Sequence, residues 1–150
     1  MIEMLLVLSI VAVLALMIIP SFYPVKARGQ IAESLEIAEP LKDAITSQYQ
    51  LLQSFPKDNE EAKLPQPGYL IGNYTASTNL ENGALHIVLG NKIIKPLDGK
   101  TLSLRPITVI DSTQSPISWV CGYSGVPKGM QAASDNKTDI EKKFLPIKCR

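Results

Sequence analysis

Hydrophobic positions crowd the start of the chain and then thin into a helical rhythm. From Met4 to Ile19 every residue is apolar except Ser9, and the one charge in this opening stretch is Glu3. A helix over the first nineteen residues rises ~28 Å at ~1.5 Å per residue, close to the thickness of a bilayer's hydrocarbon core. Pro20 closes the run. A carboxylate at a membrane helix end costs on the order of 3 kcal/mol to bury unless something pairs with it, and the apolar stretch offers Glu3 no partner. Three readings fit: a cleaved secretory signal, a permanent anchor, or an assembly stem that leaves the bilayer to pack against copies of itself. A signal needs a basic start and a small-residue cleavage site, and this segment has neither.

Beyond Pro20 the pattern becomes one-sided. Ala27, Ile31, Leu35, Ala38, Leu41, Ile45, Tyr49 and Leu52 recur at threes and fours, with Glu33, Glu36, Lys42 and Asp43 off the stripe; this predicts an amphipathic helix that needs a sheet to cover it. Prolines 20, 24 and 40 predict kinks or a locally unwound stretch, since each removes a backbone donor. Phe55-Pro56 ends the helix. Residues 57–82, rich in Pro, Gly, Asn and charge, read as a long connector of the kind that is functional or displayed. Strand patterns begin at Ala84: ALHIVLG, then the alternating TLSLRPITVI, then SPISWVC, with turn pairs at Gly90-Asn91 and Asp98-Gly99. Leu102 and Leu104 share one face, as do Ile117, Trp119 and Cys121. The expected fold class is α+β: a long amino-terminal helix on a four-stranded antiparallel sheet, one sheet face on the helix and the other exposed.

The opening segment MIEMLLVLSIVAVLALMIIPSFYPVKARGQIAESL resembles the amino-terminal stem of mature type IV pilins, which begin with a short FTLIEL-like segment, an apolar run, a helix-bending proline and an amphipathic half. Glu3 falls on the family's glutamate and its spacing to Pro20 matches, so a charge, a run length and a breaker coincide; the family's first two residues, usually Phe-Thr, would precede Met1. A glycine that commonly helps the stem to open in the fibre is Ala12 here. The resemblance implies a homo-oligomeric helical filament, with Glu3 and Pro20 as assembly residues. It also implies storage in the inner membrane with a periplasmic head, a pilus assembly machinery, and a dedicated prepilin peptidase that cleaves before the mature first residue and methylates it. A minor pilin or pseudopilin, and an anchored binding protein, share parts of this pattern.

Cysteine usage adds a staple. Cys121 and Cys149 are the two cysteines; too few for a usual four-ligand zinc site, they predict a disulfide in an oxidising compartment. Closing that loop restricts the unfolded chain by roughly 3–4 kcal/mol in the entropy model. The resemblance places the same feature at the variable, displayed end of the pilin head. The expected layout is then a stem over 1–26 and a head over 27–150, the head divided into an amphipathic helix (27–54), a connecting loop (55–83), the sheet (84–121) and a disulfide-bounded region (121–149).

Charge changes the picture only locally. The formal sum is +1, which argues against bulk nucleic-acid binding. Yet residues 121–150 carry 6 basic and 3 acidic groups, against 3 and 5 in residues 1–56. Lys128, Lys137, Lys142, Lys143, Lys148 and Arg150 form a candidate contact set for DNA or another surface, where weak phosphate contacts repeated along a filament would sum; solubility is the plainer reading. His86 is the single histidine, in an apolar run where a packed residue is the ordinary role. No catalytic set, metal cluster or phosphate loop is present in the sequence, so neither an enzyme nor a cofactor is expected. Asn73-Tyr-Thr75 and Asn136-Lys-Thr138 fit the N-glycosylation pattern, which arises readily by chance.

Overall fold

In the computed structural model, residues 1–150 are described apart from the side chains at 18–21. One helix, α1, runs Ile2–Leu52; its 51 residues make roughly 77 Å at about 1.5 Å per residue. The expected stripe is the buried one: Ala27, Ile31, Leu35, Ala38, Leu41, Ile45 and Tyr49 all lie in the core. Leu52 departs from it and is 61% exposed. The reason is local, because Gln53 turns left-handed (φ 54°) and its N–H closes the last turn on Tyr49 O at 2.8 Å. Phe55 then stacks on the Tyr49 ring, centroids 4.2 Å apart, and ends the stripe instead. Pro24 and Pro40 sit inside α1 without ending it; the side chain of Pro20 is among those outside the description, so its expected assembly role is not read here.

Five strands form one antiparallel sheet: β1 (Thr75–Glu81), β2 (Ala84–Leu89), β3 (Thr101–Val109), β4 (Ser118–Cys121) and β5 (Met130–Ala132). The order β1-β2-β3-β4 makes the expected four-stranded path, with β5 paired to β3 as an addition. Ile107 pairs with Ser118 of β4 and also with Ala132 of β5. A strand residue has one neighbour on each side, so β5 takes the β2 side of β3, beyond the end of β2. Pro106, which has no N–H to give, falls at that junction, where its carbonyl accepts from Ala133 N–H at 3.0 Å.

Two features differ from the sequence expectation. The segment read as connector holds β1, because Asn82 (φ 48°) and Gly83 (φ 84°) make the two-residue hairpin turn that joins β1 to β2. A Cβ at Gly83 would also lie 2.7 Å from the Phe55 ring. The second sheet face is not simply exposed either. From β5 the chain crosses this face of β3: Lys137 N–H donates to Ser103 Oγ (2.9 Å), and Ser103 N–H to Thr138 Oγ1 (3.0 Å). Ser103, His86 and Thr138 are buried beneath or within this strap.

The loop before β1 closes the sheet edge. Buried Asn59 accepts from Leu80 N–H through Oδ1 at 2.8 Å, and its Nδ2 donates to Pro65 O (2.9 Å) and Thr78 O (3.4 Å). One side-chain amide thus does what a neighbouring strand's backbone would do, and the open edge is blunted. Asn59→Ala leaves these backbone groups without partners, at a cost of about 1–3 kcal/mol. Thermal unfolding of the full chain in detergent, followed by the fluorescence of the single tryptophan, Trp119, should show a clear fall in midpoint. An unchanged midpoint would remove Asn59 from this role.

Candidate assembly surface

The stem presents apolar side chains in every direction. Among the described residues before Ala27 not one is buried, and Leu5, Leu6, Val7, Leu8, Ile10, Val11, Val13, Leu14, Leu16 and Met17 are all exposed. A helix that is apolar all round belongs inside something, and each large aliphatic side chain left in water forgoes roughly 1.5–3 kcal/mol. The stem is by length and composition able to cross a membrane. Ser9 does not disturb this, since its hydroxyl donates to Leu6 O at 2.7 Å. Glu3, in the first turn of α1, has no ion pair within the chain among the described residues. Its partner therefore has to come from outside the subunit if the stem is buried.

At the far end of the head, Cys121 and Cys149 form the expected disulfide, their Cα atoms 4.5 Å apart. Cys149 is buried in the main core, so the carboxyl end is anchored from inside rather than tied across the surface. The backbone crosses itself there: Tyr123 N–H donates to Cys149 O at 3.0 Å, and Gly122 (φ 55°) passes so close to that carbonyl that a Cβ would clash. Glycine is needed on both counts.

The six candidate basic residues are distributed rather than gathered. Lys137 pairs with Glu81 across the end of β1, and Lys143 with Glu141 at 2.6 Å. Lys142 lies 5.6 Å from the Tyr123 ring centre, Arg150 donates through Nε to Leu145 O at 3.1 Å, and Lys128 and Lys148 are exposed without an ion pair among the described residues. Among the described residues no group of His, Cys, Asp and Glu is placed to hold a metal. Sequence reasoning missed Asn59 and the Asn82-Gly83 turn; only the second carries a readable signal, an Asn-Gly pair between alternating residues.

A profile of the pilin family, proteins of bacterial filaments, matches residues 27–150. The type IV major pilin protein PilE1 of Neisseria gonorrhoeae is 30% identical over 99% of this chain and 84% of its own length. The fimbrial protein of Neisseria meningitidis serogroup B is 28% identical over 99% of this chain and 91% of its own. The fimbrial protein EcpC of Eikenella corrodens is 24% identical, with 99% and 87% covered.

His86 carries the one histidine titration of the head. It is 3% exposed, and its Nδ1 lies 2.9 Å from Ser103 Oγ. Burial first, then the Lys137 and Arg105 cations, hold its pKa below 6.5, while Glu81 pulls the other way. The neutral ring is the folded form, so its contribution is complete above pH 6.5 and is lost as pH falls from there toward the folded pKa. Urea unfolding of the full chain in detergent should give lower stability at pH 5.5 than at pH 7.5, and His86→Gln should flatten that difference. An equal slope in the variant would assign it to other groups.

Proposed function

The chain belongs to the pilin family of bacterial filaments, and on that premise we propose that it is the major, repeating subunit of a type IV pilus. It is a structural protein, not an enzyme. The observation that carries the reading is the stem: apolar on all sides and uncovered by its own head, in a chain that aligns over 99% of its length with a major pilin. Before assembly, residues 1–26 lie in the inner membrane with the head in the periplasm, where oxidising conditions close Cys121 to Cys149. On assembly the stem passes from lipid into a bundle of other stems and never faces water. Close packing rather than the hydrophobic effect then decides which neighbours it keeps, because lipid tails are as apolar as the stems themselves.

Glu3 supplies the register. In the bundle its carboxylate pairs with the amino terminus of an adjacent copy, and a subunit docked one step away would leave a buried charge alone at a cost of roughly 3–5 kcal/mol. The head takes no part in that check, since its nearest buried residue, Ala27, is more than six helical turns away at about 3.6 residues per turn.

Shearing the surface of producing cells and weighing the proteins of the fibre fraction tests this reading: this chain should dominate. In cells making Glu3→Ala the fibre fraction should be depleted while the head keeps the wild-type unfolding transition. Normal filaments from that variant would overturn the register role, and a wild-type chain found only in membranes would overturn the filament subunit itself.

A further inference from the structure

One stretch of the head is fastened without a buried side chain of its own. None of residues 133–137, the strap that follows β5, is buried, so polar contacts hold it to the sheet. Lys137 N–H donates to Ser103 Oγ at 2.9 Å, Asn136 Nδ2 to Gly122 O at 2.9 Å, and Tyr123 O–H to Thr138 O at 3.0 Å. Lys137 Nζ also pairs with Glu81. A segment with so little apolar anchorage lies at the low end of local stability. Beneath it sits His86, paired in register with Ser103 and 3% exposed. Its two nitrogens are unequal. Ser103 Oγ accepts from Lys137 N–H, which leaves its own hydrogen to donate to His86 Nδ1 at 2.9 Å. That network assigns the ring proton to Nε2, which is buried without a partner among the described residues. Three charged groups face the ring: Glu81 from the end of β1, Arg105 from β3 and Lys137 from the strap.

We propose that His86 is an acid-sensitive latch for residues 133–138: protonation of its ring lifts the strap off β3 and uncovers the outer face of the sheet. A second proton goes to Nδ1 and turns the ring's one accepting nitrogen into a donor. The Ser103 hydroxyl, already serving Lys137, then has to turn its hydrogen away from the ring. The new charge lies in a water-poor site beside two cations, and the one acid that faces it, Glu81, is engaged by Lys137. Lifting the strap carries Lys137 away and lets water reach both nitrogens, so the open form takes the proton more readily. The closed-state pKa lies below 6.5; closure is therefore complete above pH 6.5 and weakens as pH falls from there toward the closed-state value. The strap lies within the loop bounded by Cys121 and Cys149, so an opened segment stays tethered and recloses on neutralisation. The latch belongs to the head alone and needs neither the stem nor a neighbouring copy.

Hydrogen–deuterium exchange of the full chain in detergent, read by mass spectrometry and corrected for the intrinsic pH dependence of amide exchange, reports the opening directly. In the wild type the amides of residues 133–138 should exchange roughly three- to ten-fold faster at pH 5.5 than at pH 7.5, ten-fold being about the most that one histidine released to its ordinary pKa supplies. At both pH values they should run ahead of the α1 core stretch 35–45, which marks a local opening. Lys137→Met, at an exposed position, removes a cation that faces the ring and should shrink the ratio, whereas His86→Gln should bring it to about one. The latch is overturned by a wild-type ratio of about one, by a strap that exchanges in step with the α1 core, or by an undiminished ratio in either variant.

Discussion

One helix has to satisfy two different surroundings along its length, and the rest of the molecule is arranged by where it changes from one to the other. Through the stem, α1 is apolar on every side and needs a complete apolar jacket. From Ala27 onward it is apolar on one side only, and the chain supplies the cover itself. The sheet is thus a lid for half of a helix. Its inner face of Leu85, Ile87, Leu89, Leu102 and Leu104 is fully occupied by that duty.

Periodicity made the helix and the core legible. Seven of the eight stripe positions are buried as their spacing requires, because tertiary packing and helical geometry demand the same residues. Leu52 failed because the chain turns left-handed one residue later, and a periodic pattern carries no information about its own end. β1 was hidden for a different reason. TASTNLE is polar on alternate positions and weakly apolar on the others, so it looks like loop until the Asn-Gly turn that follows is recognised. The crossing of residues 133–137 over β3 has no periodic signature, since polar backbone and hydroxyl contacts rather than apolar side chains hold it.

The site divides in the same way. Glu3 was visible because a lone carboxylate in an apolar run is conspicuous in one dimension, and the two cysteines because nothing else competed for them. The basic residues of the carboxyl end were visible as a count, but their placement was not: Lys137 finds its acid in Glu81, far off in the chain.

The sideways attachment of the sheet to α1 also bears on how such a molecule would carry tension. The half of α1 that the head packs on belongs to the same element as the stem, Ile2–Leu52, and the sheet is attached to it sideways by packed side chains rather than joined in series along the chain. A pull along a bundle of such helices passes from stem to stem without crossing the sheet. In such a bundle the head would hang beside the load path rather than lie within it.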